Sequence, residues 1–176
     1  MEKIKVLMDS ENRKIDSVKF QKPELKDANL IYNLVKNSPP LDINSLYSYL
    51  LVCAHFNKTS VVAKVDKELV GYVSAYIIPH REDTFFIWQV AVAPSMRGQG
   101  LASRMIHHLL LRDEVEAIKY IETTVTPSNQ ASKKLFEKIS QDINCPIQRS
   151  KYFTSNLFGE SNHEEELLLR LGPIVK

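Results

Sequence analysis

The 176 residues carry 23 Lys and Arg against 21 Asp and Glu, a formal net charge of +2, with 44% apolar and 25% charged residues. That balance suits one globular domain around a single core and excludes a disordered chain. The basic residues form no cluster of the kind that holds nucleic acid, and no apolar run approaches the roughly 20 residues of a membrane span.

In chain order, residues 1–14 are polar with weak periodicity and read as a flexible lead-in, with the domain proper over 15–176. Met1 to Lys5 open no long apolar segment of a signal peptide, so the cytoplasm is the expected location. Val18-Lys19-Phe20 starts a short strand. Pro23 opens a helix to about Val35, with Leu25, Ala28, Ile31, Tyr32 and Val35 on one stripe, and Ser38-Pro39-Pro40 stops it. Asn44 or Ser45 caps a second helix to about His55. Residues 60–65 and 69–78 read as strands joined at Asp66-Lys67, and residues 80–83 as a further turn. Residues 84–93 form a long strand rich in aromatic and β-branched side chains. The turn Arg97-Gly98-Gln99-Gly100 leads into a helix whose apolar stripe is Leu101, Met105, Ile106, Leu109 and Leu110. Residues 120–125 form another strand, and Pro127-Ser128-Asn129 caps a helix carrying Ala131, Leu135, Phe136 and Ile139. Residues 150–154 and 166–171 are the last strands, with a loop over 156–162. An antiparallel front half followed by a strand-helix-strand unit is a mixed α/β class.

The turn after the long strand is the most informative segment. Backbone N–H groups that open a helix have no intrahelical partner, and the helix dipole adds about half a positive charge there. Such a place suits a pyrophosphate. Gly98 and Gly100 remove the Cβ that would keep a ligand from the backbone, and Arg97 offers a fixed charge beside it. Three glycines in dinucleotide-binding spacing are absent, as is a Walker Gly-Lys-Ser/Thr. The segment Arg97-Gly98-Gln99-Gly100-Leu101-Ala102 instead resembles the Arg/Gln-x-x-Gly-x-Gly/Ala signature of the GNAT N-acetyltransferases.

That resemblance implies a GNAT fold: a mixed, mostly antiparallel central sheet with a splayed parallel strand pair, flanked by helices. It implies acetyl-CoA as cosubstrate and no metal, with the pyrophosphate on Arg97, Gly98, Gln99, Gly100, Leu101 and Ala102. The pantetheine arm would lie along Val90, Ala91 and Val92, and Asn129 would contact the cofactor. Many members carry a Tyr on the following helix as acid for the departing thiolate; Phe136 stands there in this chain. A thiol pKa of about 8.5 lets coenzyme A leave as the anion near neutral pH.

A narrower resemblance covers nearly all of the chain after residue 20. Leu41-Asp42-Ile43-Asn44-Ser45-Leu46-Tyr47, Asp83-Thr84-Phe85-Phe86-Ile87-Trp88-Gln89-Val90 and Glu122-Thr123-Thr124-Val125-Thr126-Pro127 are similar to the diaminobutyrate acetyltransferases of ectoine biosynthesis. This implies acetyl transfer to the side-chain amine of L-2,4-diaminobutyrate by direct attack, and a homodimer. An alkylammonium of pKa about 10.4 costs about 4.6 kcal/mol to deprotonate at pH 7, so the site must take a proton. Asp42, Tyr47, Trp88, Glu122, His163 and Glu166 are the expected substrate ligands. Glu122 is the expected proton acceptor, and Trp88 an indole face for the ammonium. Each has a plainer alternative. Asp42 suits a helix entry, Tyr47 and Trp88 suit core packing, and His163 and Glu166 suit a solvated face beside Glu164 and Glu165. Glu122, between apolar strand neighbours, is costly to bury without a task. Cys53 and Cys145 lack metal-ligand spacing and any nucleophile–base setting. Two other functions stay open on these residues: a GNAT enzyme for another small amine such as a polyamine, and a coenzyme A sensor without catalysis.

Overall fold

The computed structural model describes residues 17–39, 41–159 and 163–175, so the lead-in expected over residues 1–14 lies outside the described residues. Seven strands form one sheet in the order β1-β2-β3-β4-β5-β7-β6. They are β1 Lys19–Gln21, β2 Val61–Val65, β3 Glu68–Ile78, β4 Arg81–Val92, β5 Tyr120–Val125, β6 Ile147–Phe153 and β7 Glu166–Leu171. The described α-helices are α1 Ala28–Lys36, α2 Leu46–His55, α3 Leu101–Leu110 and α4 Gln130–Asp142. Every strand pair is antiparallel except β4 with β5. This is the expected mixed sheet, with its parallel pair joined through α3.

β3 is apolar almost throughout because helices cover both of its faces. Side chains alternate between faces, so neighbours on the strand look in opposite directions. Tyr72 meets Tyr49 of α2 edge-on at 6.1 Å, while Gly71 looks at Met105 of α3. A Cβ on Gly71 would come within 2.8 Å of the Met105 sulfur, so glycine here sets how closely α3 lies on the sheet.

Local signals place most helix ends. Ser45 caps α2, its Oγ accepting from the Ser48 amide at 3.2 Å. Asn129 caps α4, its Oδ1 accepting from the Ser132 amide at 3.0 Å. Two expectations need correction. Leu25 is not on the buried stripe: residues 25–27 form a 3-10 turn ahead of α1, and the change of period leaves Leu25 59% exposed. The turn expected over 80–83 is tighter, because His80 takes a positive φ of 65° and the strand resumes at Arg81.

Candidate active site

β4 and β5 pair only from Thr84 to Phe86 against Tyr120 to Glu122. Beyond that, β4 stays with β3 and β5 stays with β7, so the two strands part. The Ala93 amide donates to Val70 on β3 at 2.9 Å. Backbone polar groups alternate between the two edges of a strand. Val90 and Val92 therefore turn their N–H and C=O groups into the gap, as the pantetheine expectation requires. A bulge precedes them: Gln89 faces Ser74 and Ile87 faces Ala75, leaving Trp88 as the extra residue. The bulge tips Trp88 outward, and this large apolar side chain is 46% exposed at the mouth of the gap.

A cleft of about 760 Å³ opens there. Asp42, Trp88, Val90, Asn129, His163 and Glu166 all line it, as do Phe136 and Arg81. Asp42 comes from the segment before α2, and His163 and Glu166 come from the approach to β7, so chain regions 121 residues apart meet across the cleft. His163 Nε2 lies 3.2 Å from Asp42 Oδ2 and 3.9 Å from Glu166 Oε1. Its Nδ1 lies 2.6 Å from the Glu164 carbonyl oxygen, and Phe158 stacks on the ring with centroids 4.0 Å apart. A carbonyl and a carboxylate only accept, so both ring nitrogens must donate and the geometry calls for imidazolium. The Glu164 carbonyl raises the His163 pKa; burial works against it, and Asp42 and Glu166 add to the rise. A histidine raised in this way adds stability that is complete below its ordinary value of 6.5 and fades as pH rises through the folded value. H163Q is therefore expected to melt below wild type at pH values under the ordinary 6.5, with the difference shrinking as pH rises above it. A difference that grows with pH would contradict the imidazolium assignment.

Glu166 is perturbed as well. Burial raises its carboxyl pKa, against hydrogen bonding from Thr124 and the nearby His163 charge. Its Oε2 is buried with no hydrogen-bond partner among the described residues. A half-buried carboxyl with one oxygen unengaged beside a cleft is suited to carrying a proton.

Glu122 is placed differently. It is 1% exposed and does not line the cleft. Its two oxygens accept from Arg81 Nη1 and Nη2 at 2.8 Å each, and Oε1 also accepts from Arg170. The Arg170 guanidinium in turn lies 3.7 Å over the Tyr120 ring. These partners engage both carboxylate oxygens, an arrangement that speaks against the expectation that Glu122 takes the amine proton. Tyr47 sits on the first turn of α2, is 68% exposed, and does not line the cleft of its own chain.

The cofactor turn lies past the end of β4, and none of residues 97–102 lines the cleft. Gly98 and Gly100 take positive φ of 73° and 75°, which side chains with a Cβ resist. The first intrahelical bond of α3 runs from Arg104 N to Gly100 O, so the amides of Leu101, Ala102 and Ser103 precede it. Arg97 Nε braces on the Val92 carbonyl at 3.2 Å, and Gln99 Nε2 on the Ser95 carbonyl at 3.0 Å. Together these features fit an anionic pyrophosphate. The Ala91 and Leu101 side chains pack in the core, so only their backbone groups are available to a ligand. Phe136, 2% exposed, presents no hydroxyl to the cleft. Burial pushes the Cys53 thiol up to about 11 and raises Cys145, so neither is poised as a nucleophile.

Sequence reasoning missed Gln89. It is 8% exposed, and its Nε2 donates to the Asp42 carbonyl at 2.8 Å. An amide inside a buried strand was a usable signal, because such a group needs partners. Arg81 and Arg170 carried no such signal.

Comparison with known proteins follows the same lines. The acetyltransferase (GNAT) family is matched over residues 28–140. The L-2,4-diaminobutyric acid acetyltransferase of Marinococcus halophilus is 48% identical over 169 residues, 96% of this chain and 98% of that protein. Its counterpart in Halalkalibacterium halodurans is 42% identical over 90% of this chain and 83% of that protein. Among solved structures, diaminobutyrate acetyltransferase EctA from Paenibacillus lautus, in complex with L-2,4-diaminobutyric acid and coenzyme A, superposes with a TM-score of 0.87. It is 35% identical and covers 90% of this chain and 96% of that one.

Proposed function

Since the chain belongs to the GNAT acetyltransferase family, we propose that it moves the acetyl group of acetyl-CoA to the N4 amine of L-2,4-diaminobutyrate. The product, N4-acetyl-L-2,4-diaminobutyrate, serves ectoine synthesis in the cytoplasm. The observation that carries this reading is the meeting of Asp42, His163, Glu166 and Trp88 at the mouth of the β4–β5 gap. That set suits a small cationic acceptor placed beside a thioester. The near full-length identity to diaminobutyrate acetyltransferases supports the same substrate.

In this reading Asp42 and the Trp88 ring hold the ammonium end of the acceptor. Glu166 takes the proton that the attacking amine must lose, replacing Glu122 in that role. The Val90 N–H polarises the acetyl carbonyl, which acetyl-CoA supplies as a thioester. Asn129 and the amides around Gly98 to Ala102 hold the rest of the cofactor. Phe136 leaves the departing thiolate without a tyrosine acid, which its pKa of about 8.5 tolerates. No covalent acetyl-enzyme is involved, in keeping with the two buried, raised thiols. The assembly is a homodimer. Ile43, Leu46 and Tyr47, exposed together at the start of α2, fit a surface covered by a partner.

The test is turnover with acetyl-CoA and L-2,4-diaminobutyrate, followed by thiol release, with the product assigned by NMR. Ornithine, lysine and spermidine run in parallel. Acetyl on N4 with diaminobutyrate preferred is the expected result. Faster turnover on spermidine or lysine would overturn the substrate while keeping the fold.

A further inference from the structure

We propose that Gln89 is a positioning residue for acceptor binding: its side chain ties the β4 bulge to the segment that carries Asp42. This rests on the proposed function, in which Asp42 holds the acceptor ammonium. Gln89 directly follows the bulged Trp88 on β4 and precedes Val90, whose backbone faces the gap. Its Nε2 donates to the Asp42 backbone carbonyl at 2.8 Å, and its Oε1 accepts from the Tyr49 hydroxyl at 3.3 Å. Tyr49 Oη in turn accepts from the Asn44 amide at 3.3 Å. One buried amide thus anchors both ends of the Asp42 to Asn44 segment, directly and through a tyrosine.

The segment needs such an anchor. Asp42 lies outside the helices, and its side chain is 82% exposed in the ion pair with His163. A flexible carboxylate in water holds a partner weakly. Fixing the backbone beneath it removes most of the freedom that binding would otherwise have to freeze. With Gln89 in place, the space beside it, between Tyr49, Val52, Tyr72 and Ser74, leaves no room for a water molecule. Losing the side-chain amide would leave the Asp42 carbonyl and the Tyr49 hydroxyl to find partners by moving the segment. The same strand therefore places the acetyl carbonyl through Val90 and the ammonium site through Gln89, one residue apart. That fixes the distance from acceptor nitrogen to thioester carbon in a single rigid element.

The experiment compares wild type, Q89M, D42N and the double variant, with KM measured separately for diaminobutyrate and acetyl-CoA. Methionine fills the volume of Gln89 and lacks both polar groups. Q89M is expected to raise KM for diaminobutyrate about tenfold and to leave KM for acetyl-CoA within about twofold. In the D42N background the Q89M change should shrink to about twofold or less, because the residue acts through Asp42. A general packing defect would move both KM values and would add fully to D42N. A second readout is the His163 titration by NMR: displacing Asp42 should lower its pKa in Q89M. Should Q89M fold poorly, Y49F tests the other arm of the same tie, with a smaller rise in the same KM. If D42N raises KM for diaminobutyrate and neither Q89M nor Y49F does, the positioning role is wrong while the acceptor reading survives. If D42N leaves that KM unchanged, Asp42 is not the ammonium ligand and both fall.

Discussion

Replacing Glu166 with Gln is expected to lower kcat by about 10²- to 10⁴-fold while leaving acetyl-CoA affinity unchanged. The amine arrives as an ammonium and must be deprotonated before it can attack. Glu166 is the carboxyl at the cleft with an unengaged, buried oxygen and an upward-shifted pKa. The shift brings donor and acceptor closer in proton affinity, and glutamine cannot accept at all. The pH profile carries a second signature. Wild-type kcat/KM should fall as pH drops through the Glu166 pKa, above the ordinary 4.5. In E166Q that limb disappears, and the remaining rate follows the free amine alone. Stability moves the other way. A carboxyl whose pKa is raised on folding is held in the folded state at a cost wherever it is ionised. E166Q should therefore melt slightly above wild type at pH 7, trading activity for stability. Retained kcat in E166Q, measured by steady-state thiol release and calorimetric acetyl-CoA binding, would remove Glu166 from the proton path.

Glu122→Gln should show the reverse. Glu122 is buried, and its side chain accepts from Arg81 and Arg170. Taking away one partner of such a group leaves buried charge uncompensated, at about 3–5 kcal/mol. Arg81 is 42% exposed at its side chain, so solvent screens part of its loss and the lower end applies. About 3 kcal/mol corresponds to a fall in Tm of roughly 6–12 °C for a chain of this size. kcat at a temperature where the variant is folded should stay within about threefold, because the carboxylate does not reach the cleft. Thermal unfolding paired with activity at about 15 °C, well below the shifted Tm, separates the two outcomes. A stable but inactive E122Q would return the proton-accepting role to Glu122 and take it from Glu166.

These two glutamates mark how far the sequence could be read. The geometry of the proposed donor half was legible because its signals are local. Glycines at positive φ, a helix start and an alternating strand lie within 13 residues, from Val90 to Ala102. Helix ends at Ser45 and Asn129 were legible for the same reason. The acceptor half depends on contacts between distant segments. Nothing near Glu122 in sequence says that Arg81 and Arg170, 41 and 48 residues away, will be its partners. Arg170 meets it through the register of β5 against β7, and Arg81 through the pairing of β4 with β5. A buried acid stands out in the sequence, but its task cannot be told from its chain neighbours. The placement of Tyr47 was not legible either, because a turn of helix decides whether a residue faces the cleft. Asp42, Trp88, His163 and Glu166 were named through resemblance, and the fold brings all four to one cleft. Gln89 carried a signal, a strand amide in need of partners, but its partners Asp42 and Tyr49 lie 47 and 40 residues away.

The parting of β4 from β5 gives the sheet an edge in its interior. Exposed edges invite pairing with other chains, and proteins usually blunt or cover them. This one is recessed between two strands that are each paired on their other side. Only a narrow, extended group with amides of its own can enter. Recognition there is written in the main chain, which side-chain substitution leaves intact. The side chains of β4 at the same positions serve elsewhere: Ala91 lies in the core, Val90 and Val92 pack against it, and Trp88 lines the cleft. One strand thus keeps its main chain for the gap and its side chains for packing and the cleft.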